Sequence, residues 1–147
     1  MRLPIGATWG YYKANFTLPP TARINIFGYY DGVQTTALDM ARLGWLWCNE
    51  GRWQEQQVIP VAWLQEATQA APAIRTHSPQ SDWKYGYAFW PNCAGQLWPD
   101  LPYASFAASG AGSQHSWVCP ALGLVVAQSS GLLRLVVEAL TLDNKSC

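Results

Sequence analysis

The chain has 147 residues, of which 50% are hydrophobic and 12% charged, and its nine basic residues balance its nine acidic ones. This composition excludes a disordered chain, and the length suffices for one domain with a core. A neutral chain lacks the basic stripe of a nucleic-acid-binding protein, and no apolar run reaches the roughly 18 residues of a membrane-spanning helix. With 14% aromatic residues and little charge, part of the apolar surface is expected to meet a partner or a missing piece of the fold.

The first segment, residues 1–34, is rich in proline, glycine and aromatic residues and shows no sustained periodicity. It is predicted to be irregular, with a turn at 29–32, where Asp-Gly tolerates a positive φ, and one short strand at 23–27.

A helical region, residues 35–71, follows. Thr36 can cap its first helix, and a carboxylate at Asp39 is favourable in the first turn. Asp39 and Arg42 lie three residues apart on this helix, which predicts a structural ion pair between them. A second helix begins near a proline, which suits a first helical position, and we expect Pro72 to end it.

The hydrophobic period changes from that of helices to that of strands after residue 84. Residues 85–90, 116–119 and 124–128 each favour a strand. Short connections between them predict an antiparallel meander over 85–128. An apolar stripe over 132–142 predicts a C-terminal helix that covers one face of the sheet. The predicted fold class is α+β, an antiparallel sheet of about three strands packed by helices.

A run of small residues over 107–113 is the most informative segment for function. Glycine weakens a strand and offers nothing to pack, so such a run indicates that another molecule approaches the backbone. Exposed N–H groups there can hold a carboxylate or a developing oxyanion. A bulge or a close helix crossing explains the same residues equally well. His115, which follows, either faces this site or points away from it.

The chain has four cysteines at long, irregular spacings and two histidines, which does not fit a zinc site, so we expect no metal and no cofactor. The cysteines are Cys48, Cys93, Cys119 and Cys147. Spacing leaves their disulfide state open. The first residues do not have the pattern of a signal peptide, and the compartment stays open as well.

Several pieces of the sequence follow one family pattern in order. They are Thr36–Gly44, similar to S/T-A-x-D-M-A-R-F-G; Gly51-Arg52-Trp53 with Pro60 and Trp63; Tyr85–Trp90, similar to Y-G-Y-G-F/W-W; Ala108–Gln114, similar to A-S-G-A-G-G-Q; and the strands of 118–127. Together they resemble the serine β-lactamase-related family, which includes penicillin-binding-protein-like esterases, class C-type β-lactamases and 6-aminohexanoate-dimer hydrolases. Each piece is weak alone, and their common order makes the resemblance fairly specific.

The resemblance implies the C-terminal part of a β-lactamase/transpeptidase-like fold and hydrolysis of a small amide or ester through an acyl-enzyme. It places Ala108, Ser109 and Gly110 on the family's third motif. Ser109 would then contact the substrate, and the N–H of Ala111 would donate into the oxyanion hole. Family members are often exported to the periplasm.

This sequence departs from the family pattern in several places. Ala108 stands where many members have Lys or His, and Ser113 stands where Gly is common. The Ser-x-x-Lys nucleophile motif is absent from its expected place far upstream, and Tyr-x-Asn is absent altogether. The literal match Ser81-x-x-Lys84 precedes a strand signal, so we interpret it as a polar loop.

The sequence therefore predicts a C-terminal fragment of such a hydrolase that is inactive alone. Its expected partners are the small substrate of the full-length parent and either the missing N-terminal half or a second copy of the chain, with no nucleic acid and no membrane span. The alternative function is a non-catalytic binding or protein-interaction module that uses the same small-residue strand and the aromatic surface.

Overall fold

The computed structural model describes residues 4–14, 30–110 and 113–129. In chain order the elements are β1 (Gly10–Ala14), β2 (Tyr30–Gln34), α1 (Ala37–Cys48), β3 (Arg52–Trp53), β4 (Gln56–Gln57), α2 (Val61–Ala67), α3 (Pro72–His77), β5 (Phe89–Pro91), β6 (Phe106–Gly110), β7 (Gln114–Cys119) and β8 (Leu124–Gln128). In the described ranges no helix is long and apolar enough to cross a bilayer.

The main sheet has four antiparallel strands in the order β5-β6-β7-β8. Helix α1 packs against β7 and β8. The predicted α+β class, with an antiparallel sheet packed by a helix, is confirmed. The sequence predicted about three strands and the sheet has four, because β6, the small-residue strand implied by the family resemblance, pairs within the same sheet. Strand β5 also begins later than predicted, at Phe89 rather than residue 85.

Helix α1 begins where the sequence predicted, because the side chain of Thr36 accepts a hydrogen bond from the Asp39 N–H at 3.1 Å. A Cβ on Gly44 would lie 2.5 Å from Val125 Cγ1 and 2.7 Å from Ser116 Oγ. Only a residue without a side chain lets the helix lie this close to the sheet. Between helix and sheet, the buried cluster comprises Cys48, Ala67, Phe89, Phe106 and Val118.

The first segment differs from the prediction of irregular structure. Strands β1 and β2 pair antiparallel, with Gly10 opposite Gln34 and Ala14 opposite Tyr30. The predicted turn at 29–32 is therefore strand from residue 30 onward. The predicted strand at 23–27 and the predicted helix at 132–142 lie outside the described residues.

The region 35–71 is also less helical than predicted. The short antiparallel pair β3–β4 lies between α1 and α2, with Arg52 opposite Gln57. Pro72 does not simply end a helix, because it is the first residue of α3. A proline fits that position since its missing N–H would have no helical partner there.

Candidate functional site

Ser109 and Gly110 form the last two residues of β6. On one side they pair with β7, Ser109 opposite His115 and Gly110 opposite Gln114. On the other side β5 begins only at Phe89, which pairs with Ala108, so both residues extend beyond the end of β5. Both residues are exposed. Ala111, the predicted oxyanion donor, lies outside the described residues.

Among the residues that the structure describes, a tight turn before β5 leaves this edge of β6 without a paired strand. The N–H of Gly86 donates to the Phe89 carbonyl at 2.9 Å, and the N–H of Ala88 donates to the Gly86 carbonyl at 3.1 Å. Ala88 has a φ of 66°, which is incompatible with extended strand. The chain therefore turns before it can pair with Ser109, and the backbone edge of Ser109 and Gly110 has no neighbour from β5.

Two residues near this edge hold a conformation that favours glycine. Ala88 has a φ of 66° and Ser113 a φ of 61°, both in the left-handed region. These are the two positions where the family patterns Y-G-Y-G-F/W-W and A-S-G-A-G-G-Q have glycine and this chain does not. The backbone thus retains two turns that glycine would form without strain.

Replacing either of these residues with glycine is expected to stabilise the chain. A non-glycine residue in the left-handed region costs roughly 1–2 kcal/mol, while the added freedom of glycine in the unfolded chain costs about 0.4–1 kcal/mol. Ala88→Gly and Ser113→Gly should each raise the free energy of unfolding by about 0.5–1 kcal/mol, measured by urea denaturation. Ala107→Gly, inside β6, is the matched control and should instead lower it. Destabilisation by both glycine variants would contradict the left-handed assignment.

A polar row crosses the sheet at the same end. The registers place Ser109 opposite His115, and His115 opposite Gln128 on β8. Side chains paired directly across antiparallel strands lie on one face, about 5 Å apart at Cβ. The sequence left the direction of His115 open, and the structure places it beside Ser109. No local sequence signal identifies this row, because it depends on the strand register.

Asp39 and Arg42 in α1 form contacts that stabilise the fold. Arg42 Nη1 donates to Asp39 Oδ1 at 2.7 Å, which confirms the predicted ion pair. Thr8 Oγ1 donates to the other carboxylate oxygen at 3.4 Å, so Asp39 ties α1 to the segment before β1. Burial alone raises the pKa of Asp39. Hydrogen bonds from Arg42, Thr36 and Thr8, together with the Arg42 charge, outweigh burial and lower this pKa below its ordinary value.

The depressed pKa of Asp39 makes the stability of the chain sensitive to acid. Because the folded pKa lies below the unfolded one, the stabilisation is present above about pH 4 and is lost as the pH falls through the folded pKa. Asp39→Asn is expected to be less stable than the wild type at pH 7, and the difference should shrink below pH 4. Urea denaturation across this range measures it, with the exposed Asp100→Asn as control. A constant difference at all pH values would contradict the argument.

A cavity of about 210 Å³ lies near the opposite end of β6. Its walls come from the end of α1, from α2, and from Phe106 and Pro120. Ser109 and Gly110 do not line it. They lie three and four residues along β6 from Phe106, about 10–13 Å away. This cavity is therefore separate from the backbone that the sequence predicted as the site.

The described cysteines are three free thiols, Cys48, Cys93 and Cys119. Burial raises the pKa of the Cys48 thiol, and the neighbouring Cys119 raises it further. Cys147 lies outside the described ranges. Within those ranges no three His, Cys, Asp or Glu side chains form a group that could hold a metal ion.

Comparisons with known proteins found no matching family model and no matching curated protein. Among solved structures, the chain is similar to a protein of Bacillus anthracis provisionally assigned as a 6-aminohexanoate-dimer hydrolase. The two are 20% identical, with a TM-score of 0.47, and the match covers 77% of this chain. It covers 29% of the other chain, so this chain spans less than a third of that protein.

Proposed function

We propose that this chain is the C-terminal part of a β-lactamase-related serine hydrolase, which cleaves a small amide or ester through an acyl-enzyme. Its role is to form one wall of the substrate cavity. Ser109 and Gly110 border the substrate, and the N–H of Ala111 stabilises the oxyanion of the tetrahedral intermediate. The attacking serine and its lysine come from the N-terminal half of the parent enzyme.

The left-handed backbone at Ala88 and Ser113 is the observation that carries this proposal. The sequence resemblance assigns glycine to both positions, and φ values of 66° and 61° are those that glycine adopts most readily. A chance resemblance gives no reason for two substituted positions to keep that conformation. The open edge of β6 beside them supports the same assignment, because a substrate needs access to backbone N–H groups there.

Ser81 does not supply the missing nucleophile. It lies exposed in a three-residue 3-10 turn, Gln80–Asp82, and its Oγ donates to Asp82 Oδ1 at 3.3 Å. Lys84 follows the end of that turn, so the two residues do not share a helix face on which the lysine can act as base. A serine without an adjacent base is a weak nucleophile.

The isolated chain is therefore expected to show no acyl transfer. Incubation with a fluorophosphonate or a penicillin should leave its mass unchanged in intact-protein mass spectrometry. An adduct would overturn the proposal that the chain lacks the nucleophile, and loss of that adduct in Ser81→Ala would locate it.

The gene sequence upstream of Met1 gives an independent test. An in-frame Ser-x-x-Lys supports the fragment assignment, and a stop codon directly before Met1 contradicts it.

A non-catalytic binding module is the second candidate function. It is favoured by the exposure of Ser109 and Gly110 beyond β5 and by the adjacent His115. In this case a small carboxylate such as acetate binds the open backbone edge without reacting. NMR titration should then shift the Gly110 amide in a saturable way, and an unchanged Gly110 amide would remove this candidate.

The edge of the sheet at β8 is the surface on which we propose that the missing half or a second copy docks. In the part of the chain that the structure describes, β8 pairs with β7 alone. Leu124 and Val126 on β8 are 44% and 48% exposed. An unpaired, apolar edge strand readily accepts another strand. Light scattering distinguishes a monomer from a dimer of the isolated chain.

A further inference from the structure

The cavity at the far end of β6 combines a buried apolar floor with one charged rim residue. Cys48, Leu64 and Phe106 line its floor, and none of them is more than 9% exposed. Glu50 is the one charged residue among those that line the cavity, and it is exposed. This arrangement suits a ligand with an apolar body and a single positive charge.

The Glu50 carboxylate is unneutralised within the described part of the chain. The ion pairs found there join Arg42 to Asp39 and Arg75 to Glu66. The polar contact of Glu50 with another side chain uses its backbone carbonyl, which accepts from Gln57 Nε2 at 2.8 Å. A carboxylate beside an apolar cavity attracts a cation more strongly than one in open water, because the low-dielectric wall reduces screening.

The backbone holds Glu50 at this rim in a strained conformation. Its φ is 52°, in the left-handed region, where a glutamate is disfavoured by roughly 1–2 kcal/mol relative to the ordinary helical region. The following N–H, that of Gly51, donates to the Leu46 carbonyl at 2.8 Å and fixes the turn. Asparagine or glycine would fit this turn better, and strain of this kind is concentrated at ligand-binding positions.

We propose that this cavity binds a small apolar primary amine. The apolar group occupies the floor, and the ammonium group pairs with Glu50 at the rim. Trp47 and Tyr103 also line the cavity, and aromatic rings near an ammonium group add cation–π attraction. An apolar cavity of about 150 Å³ holds benzene, so about 210 Å³ suits a ring with a short aminomethyl group.

Benzylamine and benzyl alcohol form the probe pair, because they share the ring and differ in charge. The full 147-residue chain is titrated with each at pH 7 while NMR follows the methyl groups of Val61 and Leu64 and the indole of Trp47. Both probes should give saturable shifts, and the amine should bind about 1.5- to fivefold more tightly, which is the range for an exposed ion pair. Added salt should reduce that preference.

Variants of Glu50 test whether its charge, rather than the shape of the cavity, produces the preference for the amine. Glu50→Gln should make the two probes bind equally. Glu50→Asn, which suits the left-handed turn, should fold at least as stably as the wild type and also lose the preference. Glu55→Gln removes an exposed acid outside the cavity and should keep it. Equal binding of the two probes to the wild type, or an amine preference retained in Glu50→Asn, would overturn the proposal. Neither outcome touches the proposed hydrolase function, which uses Ser109 at the other end of β6.

Discussion

Replacing Gly86 with alanine is expected to lower the free energy of unfolding by about 3 kcal/mol or more, at the upper end of overpacking effects. A Cβ at this position would collide with the carbonyl oxygen of Gln69 and lie 2.8 Å from that of Ala67. Both obstacles are backbone atoms at the end of α2, so no side-chain rotation relieves the contact. The neighbouring chain cannot easily move away either, because the Ala71 N–H donates to the Tyr85 carbonyl at 3.0 Å.

Urea denaturation measures this loss, and two other glycines provide matched controls. A Cβ on Gly110 would meet Gln114 Cβ at 3.6 Å, an ordinary contact, and one on Gly10 would meet nothing within 4 Å. Gly110→Ala and Gly10→Ala should therefore not destabilise the chain and should raise the free energy of unfolding by up to about 1 kcal/mol, because alanine restricts the unfolded backbone. A Gly86→Ala variant as stable as these controls would show that the turn before β5 can shift.

The turn before β5 also borders the candidate site, so Gly86→Ala should affect that site as well as stability. Gly86 lies against α2, and two residues later Ala88 turns the chain away from β6. If Gly86→Ala folds at all, its turn must be displaced, and the open edge beside Ser109 should change with it. The Ser109 and Gly110 amide resonances should then shift in Gly86→Ala and not in Gly10→Ala.

The elements with strong local signals could be predicted from the sequence. Helix α1 spans Ala37–Cys48 and begins directly after the Thr36 cap that the sequence predicted. Strands β7 and β8 include the predicted 116–119 and 124–128. In these segments the periodicity and the turn residues specify the element without help from the rest of the chain.

The elements that depend on distant partners could not be predicted in this way. Strand β6 consists largely of small residues with low strand propensity, and pairing with β5 and β7 on both sides makes it a strand. Strands β1 and β2 pair although residues 15–29 separate them in the chain. A local sequence pattern does not specify which distant segment a strand pairs with. The proline that begins α3 is equally consistent with a helix end.

The candidate site was predictable only as a segment of backbone. The run of small residues located Ser109 and Gly110, but the placement of His115 beside them depends on strand register. The cavity could not be predicted at all, because Glu50, Leu64 and Phe106 come from three separate elements or turns. Local signals locate unusual backbone, whereas a cavity arises from packing between distant residues.

Replacing Gly51 with alanine is expected to cost about 3 kcal/mol, the sum of left-handed strain and a steric clash. Gly51 has a φ of 80°, and a Cβ on it would collide with the carbonyl oxygen of Ile59 and lie 2.9 Å from Ile59 Cβ. Its N–H donates to the Leu46 carbonyl at 2.8 Å, and its carbonyl accepts from the Val58 and Ile59 N–H groups at 2.9 and 3.1 Å. One glycine therefore ends α1 and closes the β3–β4 segment.

The preceding residue, Glu50, provides the matched control for Gly51→Ala. It shares the left-handed turn with a φ of 52°, so Glu50→Gly relieves strain and should raise the free energy of unfolding by about 0.5–1 kcal/mol. Urea denaturation of the two variants should thus give changes of opposite sign at adjacent positions. Changes of the same sign would mean that the turn after α1 does not have the left-handed geometry on which both the helix end and the rim of the cavity depend.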